Sequence, residues 1–253
     1  MSAMNHLQEV IASFDPITLA EMDGVKLLDR CDTKFALPDA ALPEVLSSLL
    51  GEYRLLEVGG VRGNDYRSLY LDTPGFRLFH DHHNGRSFRS KVRFREYLGN
   101  DLCFLEVKRK TGRGDTVKKR MRIEAVPDAM SEEQRTYVRA RSGIEAPLDP
   151  VLWNHYTRFT FVHRQRAERL TIDRAMRFSS NGEVRDITGL CIAELKQARA
   201  DQASPFARLM RTMGTRPGGI SKYCLGVLLL QPSIKHNAFN EALRKLDRIR
   251  SAA

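Results

Sequence analysis

Hydrophobic residues recur with two different spacings along this chain, and the spacing separates predicted helices from predicted strands. The stretch up to about Phe14 is predicted to be helical, and residues 34–37 read as a short strand closed by Pro38. Apolar residues then recur at helical spacing before Gly51, which suits a left-handed C-terminal cap. The residues of this second helical pattern are Leu42, Val45, Leu46, Leu49 and Leu50.

From Tyr53 to Glu124 the apolar period changes to two. Gly-Gly, Gly-Asn and Gly-Arg-Gly turn signals interrupt the alternation, which is typical of antiparallel strands joined by hairpins. The predicted strands are Tyr66 to Asp72, Phe88 to Tyr97, Leu102 to Lys110 and Thr116 to Glu124.

The second half of the chain combines helices with further alternating runs. Ser131 and Gln134 form a capping-box pattern, and Gly143 ends the helix that they begin. The other predicted elements are strands at Tyr156 to His163, Arg169 to Arg174 and Leu190 to Gln197, and helices at Ser204 to Gly214, Lys222 to Leu230 and Asn237 to Arg250. With no internal repeat or Pro/Gly/Ser-rich linker, we expect one α+β domain over residues 1–253.

The predicted strands carry their charge on one face. Residues two apart share a face of a strand, so Lys91, Arg93 and Arg95 point away from Val92 and Phe94. The same alternation places together Glu106, Lys108 and Lys110; Lys118, Arg120, Arg122 and Glu124; Arg169, Thr171 and Asp173; and Glu194 and Lys196. A solvated sheet face explains one such strand, but like charges on five strands would repel one another and require a counter-charge.

A closed barrel resolves this repulsion. If the charged face lies inside and the apolar face packs under helices, the cations line a channel with low-dielectric walls that binds a polyanion strongly. The inward carboxylates are poor phosphate ligands but suit a divalent cation that bridges them to phosphate. These carboxylates are Glu106, Glu124, Asp173 and Glu194. The predicted fold is therefore a closed antiparallel β-barrel flanked by helices.

Net charge agrees with a polyanionic ligand. Lys and Arg number 41 against 31 acidic residues, a net charge of +10 that attracts nucleic acids, anionic lipids and polyphosphates alike. The chain lacks an apolar run of the ~20 residues that a membrane span needs, and it lacks a secretory signal, so we expect a cytoplasmic protein. Four widely separated cysteines predict reduced thiols rather than a disulfide framework.

Two further motifs are given structural interpretations. His80, His82 and His83 are not interpreted as a metal cluster, because no further spaced ligand group accompanies them and the Asn84-Gly85 that follows is predicted to be a surface hairpin turn. The Gly-rich run 111–114 lacks the ending of a phosphate-binding P-loop and is predicted to be a hairpin turn.

Several motifs in order resemble one known family. Residues 68–73, 84–86, 91–95, 105–111 and 118–120 resemble the VTC (vacuolar transporter chaperone) domain of polyphosphate polymerases, which are triphosphate tunnel metalloenzymes with a closed antiparallel barrel. Residues 156–158, 170–173, 194–196 and 221–223 resemble the later motifs of the family, and residues 30–35 resemble its opening strand. The resemblance covers a core of about residues 27–230, with the helix at 237–250 beyond it.

The resemblance implies an enzyme that transfers the γ-phosphate of ATP to a growing polyphosphate chain and releases ADP, with Mn²⁺ or Mg²⁺ as cofactor. It implies catalytic positions at Arg93, Arg95, Lys108, Lys110, Lys118, Arg158, Arg169 and Lys222, with Lys108 and Lys110 competing for one lysine position of the family. It implies substrate binding by Lys34, Arg30, Lys91, Arg120, Tyr156, Lys196 and Ser221, and metal binding by Glu194 and Glu106.

Other functions stay open at this point. A tunnel-type triphosphatase would use water in place of the phosphate acceptor, and a non-catalytic polyphosphate-binding module would need only the basic strands. Nucleic acid is not the expected partner, because its binding favours exposed aromatic residues among the basic ones. The expected ligands are ATP and inorganic polyphosphate. Translocation of the product would require a separate membrane protein, and the oligomeric state is not predicted.

Overall fold

The computed structural model describes residues 3–23, 31–112, 115–218 and 221–251, which form an α+β fold rich in antiparallel sheet. The strands are β1 (Pro16–Ile17), β2 (Cys31–Pro38), β3 (Tyr53–Leu56), β4 (Asn64–Asp72), β5 (Arg89–Tyr97), β6 (Leu102–Lys110), β7 (Thr116–Ile123), β8 (Asp149–His163), β9 (Glu168–Ser180), β10 (Glu183–Ile187) and β11 (Leu190–Gln197). The α-helices are α1 (Ala3–Ala12), α2 (Leu19–Asp23), α3 (Leu42–Ser47), α4 (Arg77–His83), α5 (Glu132–Ser142), α6 (Pro205–Thr212), α7 (Lys222–Leu230) and α8 (Asn240–Ser251).

The strands form one sheet in the order β2-β11-β9-β8-β4-β5-β6-β7. Neighbours along this path pair antiparallel, β3 and β10 add to β8 and β9, and β1 pairs parallel with β3. Within the described ranges no pairing joins β2 to β7, so the path is open and closure into a barrel stays a prediction. The edge of β2 is bordered by the segment before α7, because the Gly218 amide donates to the Lys34 carbonyl at 2.9 Å.

The apolar face of the sheet lies under helices, as the alternation predicts. On one half, α1, α3 and α6 cover the apolar face of β2, β8, β9 and β11, and on the other half α5 covers that of β4, β5 and β6. The opposite face is partly filled by α7, which packs on Tyr70, Leu152 and Phe178. Gly226 permits this approach, since a Cβ there would lie 2.6 Å from the Phe178 ring. The charged side chains therefore share their face of the sheet with α7.

The three histidines lie on helix α4, and the predicted turn at Asn84-Gly85 follows this helix, so it does not join two strands as a hairpin. Asp72, at the end of β4, accepts hydrogen bonds from the Leu78 and Phe79 amides at 2.8 and 2.9 Å and so caps α4. The hydroxyl of Tyr223, on α7, donates to the same carboxylate. The capping residue of α4 belongs to β4. The sequence of the helix itself therefore contains no capping pattern from which α4 could be predicted.

The remaining differences concern element boundaries. β8 begins at Asp149 rather than Tyr156, and α3 ends at Ser47 because a turn precedes Gly51. A 3-10 turn at Asn237–Phe239 precedes α8. The short elements β1, α2, β3 and β10 were not predicted. None of the described helices combines the length and apolar character that crossing a membrane requires.

Candidate functional site

A cavity of about 170 Å³ lies on the charged face of the sheet, where several strands meet the N-terminus of α7. Nine lysines and arginines and three carboxylates line it, so its charge is strongly positive. The lining residues are Asp32, Lys34, Tyr70, Lys91, Arg93, Arg95, Glu106, Lys108, Lys118, Tyr156, Arg158, Ile192, Glu194, Lys196, Ser221 and Lys222.

A second, larger cavity of about 300 Å³ lies on the opposite face of the sheet, beside α5. Its walls include buried apolar side chains such as Leu71, Phe94 and Val138, and its two arginines, Arg135 and Arg139, are paired with Glu132. This cavity offers no convergent set of charges, so we take the smaller, charged cavity as the functional site.

The structure brings most of the predicted site residues together. The cavity is lined by thirteen of them: Lys34, Lys91, Arg93, Arg95, Glu106, Lys108, Lys118, Tyr156, Arg158, Glu194, Lys196, Ser221 and Lys222. Lys110 lies one step beyond Lys108 on the same face of β6, outside the lining. Arg120 lies over the Phe104 ring, and Arg169 donates to the Met22 carbonyl. Arg30 lies outside the described residues.

Glu106 is held by two cations of the neighbouring strands. Arg93 donates from Nε and Nη2 to Glu106 Oε2 at 2.9 and 2.6 Å, and Lys118 Nζ lies 2.5 Å from Oε1. Burial raises the pKa of this carboxyl, but Arg93, Arg95 and Lys118 hold the pKa well below its usual range. Both oxygens of Glu106 therefore contact a cation, and the carboxylate holds the side chains of Arg93 and Lys118 in place.

Asp173 holds two cations on the opposite wall of the cavity in the same way. Arg158 donates to its two oxygens at 2.5 and 2.7 Å, and Lys222 Nζ contacts Oδ2. Although the burial of Asp173 raises its pKa, Arg158 and Lys222 keep that pKa well below the usual value. Lys222 also lies 4.7 Å from the centre of the Tyr156 ring. This buried carboxylate couples β8 to the start of α7.

Hydroxyl groups orient the two arginines of β5 that line the cavity. Arg95 donates from Nη2 to Tyr156 Oη at 2.7 Å and from Nε to Ser68 Oγ at 3.3 Å. Arg93 donates to Tyr70 Oη at 3.1 Å. The sequence analysis did not identify Tyr70 as a site residue. Strand register could have identified it, because Tyr70 lies directly opposite Arg93 in the β4–β5 pair.

Three lysines of the cavity have no ion-pair partner in direct contact among the described residues, although Glu194 and Asp32 attract Lys108 at longer range. Lys34, Lys91 and Lys108 come from β2, β5 and β6, and among the described residues no carboxylate oxygen lies within 4 Å of their ammonium groups. Burial, together with the charges of Lys34 and Lys108, lowers the pKa of Lys91 to about 7. Burial and Lys34 also lower the pKa of Lys108. An anion bound here would relieve the mutual repulsion of the three lysines.

Glu194 is the carboxylate of the cavity that best fits a divalent cation. Its nearest recorded partner is Lys196 Nζ at 3.5 Å, and among the described residues no hydrogen bond occupies its carboxylate oxygens. Burial raises its pKa, but Lys196, Lys34 and Arg158 keep the pKa well below its usual value, so the group is ionised. The oxygens of Glu106, by contrast, are already occupied by Arg93 and Lys118.

The described residues contain no cluster of three or more acidic, His or Cys ligands. Mg²⁺ and similar ions are often held by one or two carboxylates together with substrate phosphates and water rather than by an all-protein cage. Glu194 beside the lysines that could bind phosphate fits this mode of binding.

Comparison with known proteins gives one family and several distant structural likenesses. A model of the family described as VTC domain matches residues 29–231, a range that contains every residue lining the charged cavity. No curated protein matches the sequence.

The solved structures that resemble the chain have low identity to it. A proposed adenylyl cyclase from Hippeastrum, described as having a dominant triphosphatase activity, is 16% identical, with 79% of this chain and 95% of that chain covered at a TM-score of 0.49. A proposed adenylate cyclase from Bacillus halodurans is 15% identical, with 77% and 94% covered and a TM-score of 0.48. A protein from Pyrococcus horikoshii is 13% identical, with 81% and 99% covered and a TM-score of 0.46.

Proposed function

The chain belongs to the VTC domain family, and we propose that it is a polyphosphate polymerase that transfers the γ-phosphate of ATP to inorganic polyphosphate and releases ADP. The observation that carries the proposal is the cavity in which nine cationic side chains converge around Glu194, a carboxylate whose oxygens accept no hydrogen bond from the described residues. A condensed phosphate has the charge density that such a cavity requires of its ligand.

Closure of the sheet into a tunnel is part of this proposal. Lys34 on the edge strand β2 and Lys118 on the edge strand β7 line the same cavity, so the sheet already curves around it. A tunnel would let a linear polyphosphate pass through the ring of cations while its end reacts.

The site residues account for phosphoryl transfer by position and charge. The transition state is loose and spreads its charge over the equatorial oxygens, so fixed cations supply most of the stabilisation. Glu106 and Asp173 accept from the Nε and Nη2 groups of Arg93 and Arg158 and hold these side chains in place, so the remaining N–H groups of the guanidiniums would donate to phosphate. The lysines act as point charges along the polyphosphate. The attacking group is a terminal oxygen of the acceptor, so no side-chain nucleophile is required.

A divalent cation bound at Glu194 would neutralise charge on the phosphate oxygens of the nucleotide. Lys34, directly opposite Glu194 in the β2–β11 register, would hold the adjoining phosphate.

A tunnel-type triphosphatase is the second candidate, because water could attack in the same cavity. Incubation of the protein with ATP and Mn²⁺ separates the two functions by their products. Long polyphosphate chains, resolved on a gel, support the polymerase, whereas orthophosphate without chains would show that the site is hydrolytic.

Replacing Arg95 by alanine should lower polyphosphate synthesis by on the order of a hundredfold, since it removes one of several cations that stabilise the transition state. Arg177→Ala is the matched control, because Arg177 is exposed on β9 and pairs with Asp186 away from the cavity. The rate of polyphosphate formation from ATP is the measurement. Normal synthesis by Arg95→Ala would mean that Arg95 does not act on the phosphates.

Polyphosphate binding should weaken as pH rises above about 7. The pKa of Lys91 is lowered to about 7 in the ligand-free cavity, and burial lowers that of Lys118 to about 7 as well. A bound polyanion favours the protonated amines and raises their pKa values. Affinity is therefore full below pH 7 and is lost as pH rises toward the pKa values of the bound state.

Titration calorimetry with tripolyphosphate at pH 8.5, in buffers that differ in ionisation enthalpy, measures this proton uptake. Tripolyphosphate can itself exchange protons at this pH, and its share is the same for both proteins, so the difference in uptake between the wild type and Lys91→Met reports the lysine. Lys91→Met should reduce the uptake. Equal uptake by the two proteins would exclude proton-linked binding by Lys91.

A further inference from the structure

An aromatic row borders the charged cavity at its Arg95 end. Tyr156 stacks on Tyr66 at 5.4 Å between ring centres, Tyr66 contacts Tyr97 at 4.9 Å, and Tyr97 contacts Phe104 at 5.7 Å. Tyr66 and Tyr156 are buried, whereas Tyr97 and Phe104 are half-buried at the outer end of the row. The row thus runs from the cavity lining, at Tyr156, toward solvent.

Phe104 is out of place on its face of β6. That face carries Glu106, Lys108 and Lys110, while the apolar core of the sheet takes Leu105 and Val107 from the other face. A half-buried aromatic ring on a polar, cation-lined face gains little from the core, so packing alone does not explain it.

Arg120 lies over one face of this ring. Its Cζ is 4.6 Å from the centre of the Phe104 ring, the side chain is exposed, and among the described residues no acceptor or carboxylate engages the guanidinium. Its cross-strand neighbour Glu106 is already occupied by Arg93 and Lys118. An aromatic ring and a planar guanidinium that has no acceptor form a surface on which a flat, electron-rich ring stacks.

We propose that Phe104 and Arg120 form a subsite that binds the nucleobase of a nucleoside triphosphate by stacking. The inference rests on the proposed function, because it assumes that the phosphates of the same nucleotide lie in the charged cavity. Phe104 and Lys108 are four residues apart on one strand, about 13 Å at ~3.3 Å per residue. That span matches an extended nucleotide with its base at Phe104 and its last phosphate among the lysines. The nucleotide therefore enters base-outward at the Arg95 end.

Binding without turnover tests the subsite. In EDTA, titration of ATP and of inorganic tripolyphosphate into the wild-type protein and Phe104→Leu compares a ligand that has a base with one that lacks it. We expect Phe104→Leu to weaken ATP binding by about tenfold and to leave tripolyphosphate binding within about twofold. Phe88→Leu is the matched control, because Phe88 is 63% exposed and lies against Gly112 at the other end of β5.

The outcomes distinguish the subsite from the proposed function. If Phe104→Leu changes the binding of both ligands equally, or of neither, the nucleobase subsite is wrong while the phosphate site stands. If the wild-type protein does not bind tripolyphosphate, the proposed function itself fails. If Phe104→Leu does not fold, etheno-ATP decides with the wild-type protein: fluorescence quenching on binding supports stacking of the base, and unchanged fluorescence of the bound nucleotide overturns it.

Discussion

Polyphosphate synthesis should fall by on the order of a thousandfold in Glu194→Gln, the largest loss that we expect from a single substitution in the cavity. The change keeps the size of the side chain and removes the charge that would hold the divalent cation. No hydrogen bond among the described residues depends on this carboxylate, so the fold should persist. The rate of chain formation from ATP with Mn²⁺ is the first measurement.

A second measurement separates metal binding from phosphate binding. In Glu194→Gln, Mn²⁺ affinity in the presence of tripolyphosphate should fall, whereas tripolyphosphate without metal should bind at least as tightly as to the wild type, because Lys34 and Lys196 lose a competing anion. Glu183→Gln, on the exposed strand β10, controls for the loss of one charge. Unchanged Mn²⁺ affinity would assign the metal to another group.

Asp173→Asn should lower the free energy of unfolding by about 3–5 kcal/mol, since removing one partner of a buried ion pair leaves the others uncompensated. Arg158 and Lys222 would both lose their counter-charge. Because the pKa of Asp173 is lowered in the folded protein, its contribution is present above the unfolded value of about 3.9 and is lost as pH falls below it. Urea denaturation of the wild type and the variant at pH 7 and at about pH 3 measures both effects.

A polyanion should restore much of this lost stability by replacing the missing negative charge. Tripolyphosphate is therefore expected to raise the unfolding midpoint of Asp173→Asn more than that of the wild type. Asp186→Asn is the control, because its partner Arg177 is exposed and the pair should matter little. Equal stabilisation of both variants by tripolyphosphate would show that Arg158 and Lys222 do not face the ligand.

Which face a residue occupies could be predicted from the sequence. A strand turns successive side chains to opposite faces, so Lys91, Arg93 and Arg95 were assigned to the charged face by counting, and all three line the cavity. How far the cavity extends along each strand could not be predicted in this way. Lys110 and Arg120 share the correct face with lining residues but lie beyond the cavity, because alternation carries no information about where a cavity ends.

The roles of the carboxylates depend on strand register, which the alternation does not contain. Glu106 lies directly opposite Arg93, and this register gives the carboxylate its cation partner, while its metal binding stays a prediction. Asp173 likewise lies directly opposite Arg158 in the β8–β9 register, so it also has a cation as its partner. Glu194 is distinguished only by the absence of such a guanidinium partner among the described residues. The α+β sheet architecture followed from local periodicity, while closure of the sheet is a long-range property.

The Asp72 carboxylate joins two helices that belong to different parts of the chain. It caps α4 and accepts the Tyr223 hydroxyl, and Tyr223 is the residue after Lys222. Asp72 is fully buried and does not line the cavity. The position of Lys222 therefore depends on a hydrogen-bond junction outside the site. A substitution that breaks this junction would displace Lys222 and lower the activity proposed for the cavity without changing a residue that lines it.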